Sequence, residues 1–524
     1  MTDHAIDRAA PRAGSLDRRS PAVLLGLALS FGLLAQYLFY RTGPGIDVLV
    51  ATLALLVVAW AVRPSGARLD RADLWIAPTA VAFAVAIVVR TDAMLLLFDI
   101  PAVVTLITMA AVAFAGVPVT RRAADLVALL GVVVAGRILA GGAMLLAVFP
   151  ELGRPFARRG GRAASVGIGL ALAIPFLFVF AALFSSADAV FSSALRNVVD
   201  IQKWSIGDLF GRLVIGAFFA WAGGGLLTVA ARGAEPPERS LLPRLRGHLS
   251  SVAATTALLA VDALFAFFVA LQLAYLFGGR DTLEATGVSY SEYARRGFFE
   301  LIAVAFIAGG LLFAVEIVVG RRSRLYVAAA LSLVAATLIV VVSAAYRMQL
   351  YQLAYGWTEQ RFYALAGIAW LGASGIVLGV LVARDATRWV LHGAALLALV
   401  VALGANAVGP AGFVARQNLE RVIDPAGLPA DAYRGLDVYY LASLGDGALP
   451  TTLEELPRLP IPWRTSLGAY LRDRVLEQRD LSAPAWQSWN VDRERARAAL
   501  AEAEGWLRAF PPFCEVRGPC LPGR

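Results

Sequence analysis

The chain has 524 residues, of which 59% are hydrophobic and only 16% charged, and its mean hydropathy is +0.69. A soluble domain is about 45–50% apolar and about 25% charged. An ordinary cytosolic enzyme, a disordered chain and a nucleic-acid binder are therefore excluded, and a polytopic membrane protein is implied. The net charge of +9 does not restore a nucleic-acid reading. From residue 410 onward acids and bases balance, so the excess lies with the apolar part, in short loops where it sets orientation.

The first 20 residues are polar and basic, with Arg8, Arg12, Arg18 and Arg19, and read as a disordered cytoplasmic N-terminus. The apolar run 22–40 ends in Tyr37, Phe39, Tyr40 and Arg41. Interfacial aromatics there suit an uncleaved spanning helix rather than a signal peptide. Further runs of spanning length cover 46–62, 74–89, 94–117, 127–148, 164–184, 209–231, 252–277, 298–320, 325–345, 362–383 and 389–409. A span needs about 20 mostly apolar residues, and backbone groups in lipid must bond within their own helix. The expected fold is all-α: a polytopic helix bundle over 21–409, with a small helical C-terminal domain over 410–524.

The arginines test the count. With twelve spans they divide almost evenly between the two sides. Run 127–148 holds Arg137 at its centre, where a lone guanidinium costs about 2.5–3.5 kcal/mol. Kept at the cytoplasmic interface or re-entrant, it leaves eleven spans, and one side then carries more than twice the basic residues of the other. The expected topology has the N-terminus cytoplasmic and the C-terminus extracytoplasmic, in a cell membrane. Cys514 and Cys520 are the only cysteines. In an oxidising space they become a candidate disulfide. Prolines from Pro410 to Pro462 punctuate short tail helices expected at 413–422, 436–443, 451–456, 463–478 and 491–510.

His4, His248 and His392 lie far apart, and no metal-ligand spacing, phosphate loop, HExxH or nucleophile elbow occurs. No cofactor and no metal are expected.

Several stretches resemble the bacterial multi-pass membrane family known as domain of unknown function 4173, with its relative 4153. They are LFSSADAVF (183–191), DALFAFFVALQLAYLFGG (262–279), SYSEYARRGFFEL (289–301), YQLAYGWTEQRFYALA (351–366), ARQNLERV (415–422) and LDVYYLASLGDGALPTTLEEL (436–456). The resemblance implies an integral membrane protein and supplies no catalytic residues.

Candidate sites concentrate on the outer face. Ser289 and Glu292 form a capping box, leading into a helix that carries Tyr293, Arg295 and Arg296. In 346–363, Gly356 fits a helix C-cap and Thr358 an N-cap. Tyr346, Tyr351, Tyr355, Trp357, Phe362 and Tyr363 crowd this segment beside Arg347 and Arg361. An aromatic belt and a salt-bridged helix end account for most of this. The sharper alternative is a vestibule in which Tyr293, Arg295, Arg296, Arg347, Trp357 and Arg361 hold a lipid headgroup or anionic small molecule. Asp262 lies near the middle of run 252–277 and is the candidate intramembrane proton site. Glu316 beside Arg321, Asp208 with Arg212, and Asp99 beside Pro101, where a helix break is expected, read as structural.

Three functions are carried. The favoured one is a non-enzymatic envelope scaffold or sensor whose tail binds a protein partner. The alternatives are a transporter or lipid-handling protein, and a membrane transferase using a lipid-linked donor. The bilayer is the expected partner in all three.

Overall fold

The computed structural model describes residues 20–122, 124–146, 206–233, 247–277, 298–429, 432–479 and 485–513. Among these residues, nine helices are long and apolar enough to cross a membrane. Helices α1 (Pro21–Phe39), α2 (Ile46–Val62), α3 (Ile76–Val89), α4 (Ala93–Phe114), α5 (Ala124–Leu146) and α6 (Ile206–Arg232) surround one core, with Leu24, Phe83, Ile87, Leu106 and Leu227 at its centre. Helices α7 (Ser251–Phe277), α8 (Phe298–Val318), α9 (Arg324–Tyr355), α10 (Glu359–Ala383) and α11 (Val390–Val408) surround a second, built on Leu258, Leu312, Tyr326 and Leu333. Leu399, Ala402 and Leu403 of α11 also pack on the first core, so α11 joins the two. Leu33, Val57, Phe218, Leu264, Phe267, Ile307 and Val342 stand exposed on the outside. Water would penalise such a surface and hydrocarbon does not.

Small residues set the closest approaches. Gly32 of α1 opposes Gly216 and Ala220 of α6, and Phe31 packs on Gly223. Gly225 lies directly against the Ile138 carbonyl of α5, while Gly375 and Gly379 of α10 receive Leu338 and Val334 of α9. Gly309 and Gly310 behave differently: nothing crowds them, and they line an apolar cavity of about 200 Å³ between α8, α9, α10 and α11.

The direction of each helix follows from its neighbours. The Tyr40 hydroxyl, just beyond α1, donates to Asp208 Oδ1 at the start of α6 (2.7 Å), so α1 and α6 are antiparallel. Gly233, just past α6, lies beside Ala115, just past α4, so α4 and α6 run in the same sense. At this shared end, which also holds Ser20, Arg137 Nη1 donates to the Gly233 carbonyl (3.1 Å).

Two local expectations are corrected. Helix α4 continues through Pro101 rather than breaking there, since neighbouring helices sustain a proline inside a span. Glu316 pairs with Arg322 (2.6 Å) rather than Arg321, and Arg322 also reaches Asp385 (2.6 Å). Helix α9, at 32 residues, spans about 48 Å at 1.5 Å per residue, well beyond a hydrocarbon core of about 30 Å, so its last turns project.

The tail continues from α11 through Gly409, whose φ of +71° suits glycine, into α12 (Pro410–Ile423). Helices α13 (Val438–Ser443), α14 (Leu449–Glu455), α15 (Ile461–Arg479) and α16 (Val491–Leu507) complete it around Val414, Leu419, Leu441, Leu456, Leu471 and Leu500.

A candidate functional site where the tail meets the bundle

Every helix leaves its last carbonyls without an intrahelical partner. At the tail-facing end of the bundle, donors from elsewhere in the chain fill them. The Tyr37 carbonyl of α1 accepts from Gln487 Nε2 (3.3 Å). The Ile87 and Arg90 carbonyls, at the end of α3, accept from Asn490 Nδ2 (2.9 and 3.0 Å). The Gln352 and Leu353 carbonyls of α9 accept from Arg421 Nη1 (3.2 and 2.9 Å), and Ala354 accepts from the Tyr433 backbone N–H (2.9 Å). The Asn406 and Ala407 carbonyls of α11 accept from Arg90 Nε and Nη2 (2.7 and 3.1 Å).

Three of the quoted motifs meet here. In the first, Gly356 (φ +83°) ends α9 and Thr358 caps α10, accepting from the Arg361 N–H (3.3 Å). Asn418 of the second motif accepts from the Trp357 N–H and donates to the Trp357 carbonyl, both at 2.8 Å. Tyr440 of the third accepts the Glu359 N–H on its hydroxyl oxygen (2.7 Å).

Beneath these contacts lies a buried acidic group. Asp92, in the short link from α3 to α4, accepts from the Ala411 N–H (3.2 Å). Asp99, two turns further along α4 and fully buried, accepts from Asn406 Nδ2 (3.0 Å). Asp492 of α16 faces Arg90 (3.4 Å). Burial pushes the carboxyls of Asp92 and Asp492 above the usual carboxylate range. It raises the Tyr440 phenol to about 12. Burial, and then the charge of Arg361, lower the Arg421 guanidinium.

Of the residues expected to form a vestibule, Trp357 packs edge-on against Phe413 (centroids 4.8 Å apart). Arg361 stacks over Tyr351 (4.1 Å) and donates to the Gly356 carbonyl, bracing the α9–α10 turn. Arg347 is buried within α9. Tyr293, Arg295 and Arg296, and the cysteine pair Cys514 and Cys520, lie outside the described residues. Asp262 is 9% exposed on α7, and neither carboxyl oxygen has a hydrogen-bond partner among the described residues.

Sequence reasoning misses Asp92, Glu359, Asn406, Asn490 and Asp492. A usable signal is Asp92 and Asp99 at i, i+7, which places two acids on one helix face at one end of the bundle.

A family model described as a domain of unknown function, DUF4153, matches residues 77–455. That is well over half of the chain, which therefore belongs to this family. The match begins well before the first quoted motif and ends at the close of α14. No curated protein and no solved structure matches the chain.

Proposed function

From that family membership we propose that the chain is a non-enzymatic scaffold or sensor of a bacterial cell membrane. Its N-terminus is cytoplasmic and its tail extracytoplasmic. The observation that carries the reading is the filling of span-end carbonyls from the tail. Gln487, Asn490, Arg421 and the Tyr433 N–H hold the ends of α1, α3 and α9. A tail bonded in this way moves with the spans, so an event on its outer surface reaches the bundle without a tether between them.

Orientation is supported by the arginines. Among the described residues the end that holds Ser20 carries Arg63, Arg68, Arg71, Arg121, Arg122, Arg232, Arg321, Arg322, Arg324, Arg384 and Arg388, while the other end carries Arg41, Arg90, Arg212, Arg347 and Arg361. The positive-inside rule puts the first end in the cytoplasm. The parallel course of α4 and α6 calls for an odd number of crossings between them, in keeping with eleven spans and with 127–148 held on the cytosolic side. Kinship with domain 4173 belongs to the same reading and rests on the quoted motifs.

Photocrosslinkers at the exposed tail positions Tyr439, Leu476 and Trp506, in the full-length protein in its membrane, test the scaffold. A specific envelope protein captured at one or more of them is expected; capture at none refutes the partner role. A single cysteine at Gly427, with Cys514 and Cys520 replaced by Ser, is expected to react with an impermeant maleimide in intact spheroplasts. Labelling only after lysis would reverse the topology.

A second reading, lipid handling or transport, is favoured by the apolar cavity beside Gly309, Gly310, Trp370 and Ser374 and by Asp262. In it, Arg295, Arg296, Arg347 and Arg361 hold an anionic headgroup. Native mass spectrometry is expected to find anionic lipid retained by the wild type and depleted in Arg347→Ala; equal retention would set the headgroup role aside. Asp262→Asn is expected to abolish a proton-coupled flux, and an intact flux would remove the relay.

A further inference from the structure

Glycine within a span ordinarily lets two helices approach closely, and Gly375 and Gly379 of α10 do so against α9. Gly309 and Gly310 of α8 do not: a methyl group at either position would meet nothing within 4 Å. They keep open the apolar cavity of about 200 Å³ between α8, α9, α10 and α11. Thr337 Oγ1 donates to the Leu333 carbonyl (2.7 Å) and Trp370 Nε1 to the Ala394 carbonyl (2.8 Å), so neither is offered to a ligand. The Ser374 hydroxyl is buried in the wall, and the rest of the lining is hydrocarbon.

The mouth is lateral. Phe306 of α8 and Leu391 of α11 both line the cavity, yet they are 61% and 46% exposed. They lie within the spans, so the opening meets acyl chains and not water. An apolar cavity of about 150 Å³ stays dry and accepts one benzene. One somewhat larger has room for the end of a single chain and none for a fused-ring lipid.

Depth selects the leaflet. The lining residues of α8 and α10 lie within 305–313 and 370–378. They begin five residues, about 8 Å, from the Val318 and Ala383 ends and reach to about 20 Å. In a hydrocarbon core of about 30 Å that is the half opposite the tail, to just past the midplane. Val390 and Leu391 join from the first turn of α11. Arg384 and Arg388, exposed in the α10–α11 link, stand at the adjoining headgroup level. Arg347 and Arg361 belong to the tail-facing end of the bundle.

We propose that this cavity seats one acyl chain of a phospholipid from the leaflet opposite the tail. The chain enters sideways between α8 and α11, and its phosphate lies level with Arg384 and Arg388, where guanidinium groups bind phosphate well. The site deepens the lipid-handling reading above and rests on it for any consequence beyond binding, since it names the part of the lipid that is held and the leaflet that supplies it.

The test uses the full-length protein in nanodiscs that contain phosphatidylglycerol with a diazirine either at the end of one acyl chain or on the headgroup. Labelled positions are mapped by peptide mass spectrometry. The chain-end probe is expected to mark 305–313 and 370–378 severalfold more strongly than Leu33, which is 68% exposed on the outside of α1 and reports ordinary lipid contact. Gly309→Leu fills the cavity and should bring that labelling down to the Leu33 level, with a thermal midpoint no lower than wild type. Gly310→Leu is the second variant. The headgroup labelling lost in these variants should fall in 384–391. Arg347→Ala, which tests the headgroup site at the other end, should leave all of it unchanged, so the two ideas fail separately. Wild-type labelling no stronger than at Leu33, the result if another segment of the chain fills the cavity, overturns the site. So does strong labelling that neither glycine variant reduces. Variant-sensitive headgroup labelling within 346–361, or loss of the chain label in Arg347→Ala, overturns the choice of leaflet.

Discussion

Asn490 is the residue on which attachment of the tail depends most directly. It is 1% exposed and uses all of its hydrogen-bonding capacity. Its amide nitrogen donates to the Ile87 and Arg90 carbonyls, and its oxygen accepts from the Asp492 and Arg493 N–H groups (2.9 and 3.3 Å). One side chain thus caps the end of α3 and the start of α16. Asn490→Ala removes an N-cap, worth about 1 kcal/mol, and orphans two buried carbonyls at about 1 kcal/mol each or more. The expected loss is about 3 kcal/mol, or roughly a hundredfold in the local opening equilibrium. Asn490→Asp retains the N-cap acceptor but presents a carboxylate to two carbonyl oxygens and to Asp492, and should open the junction at least as much.

Hydrogen exchange measures this directly. The Ile46 N–H, bonded to the Trp489 carbonyl (3.0 Å), and the first amides of α16 should exchange faster in both variants, while amides in the middle of α8 keep their protection. If Asn490→Ala left exchange at Ile46 and across 491–493 within about twofold of wild type, the capping argument would be wrong. The tail would then be held by apolar packing alone.

Other outcomes follow from the same geometry. Arg322→Ala leaves Glu316, 4% exposed, with the Tyr326 hydroxyl (3.0 Å) and no cation of its own; thermal unfolding in detergent should show a loss of about 3–5 kcal/mol, with Arg322→Lys intermediate. Gly225→Val sets a branched side chain against the Ile138 backbone and should separate α5 from α6. Its signature would be lost crosslinking between cysteines at Gly141 and Thr228, which face each other in the structure; undiminished crosslinking would contradict the packing. Tyr440→Phe takes away the acceptor of the Glu359 N–H and should cost about 1–3 kcal/mol, read as faster exchange at the start of α10.

The helices themselves were largely legible in the sequence, for a simple reason. A span in lipid satisfies its own backbone, so a run of apolar residues specifies an element with little help from elsewhere. The Gly356 and Thr358 caps were legible on similar grounds, each being set by one residue's local chemistry. The tail helices could be placed between their prolines. What could not be read is which distant group completes each end. Asp99 meets Asn406 and Asn490 meets Ile87 across more than three hundred residues of chain, and periodicity carries no information about such pairings. Asp92 and Glu359 are hidden by their positions, because an acid at the start of a helix is an ordinary favourable neighbour of the helix dipole. Asp208 shows the same limit. Its place at the start of α6 suggests a partner one turn on, yet it takes the Tyr40 hydroxyl and pairs with Arg41 (2.9 Å), both just beyond α1.

The layout of these pairings has a physical logic. Spans that end at the headgroups ordinarily give their last carbonyls to water. Here a folded domain covers that end, so the carbonyls must be met by protein donors, and Asn490, Arg421, Gln487 and Arg90 meet them. The same cover removes water from the acids that begin the descending helices: Asp92 before α4 and Glu359 in α10. Helix starts favour acids and helix ends favour donors, so covering one face of an up-and-down bundle brings both kinds of group under one lid.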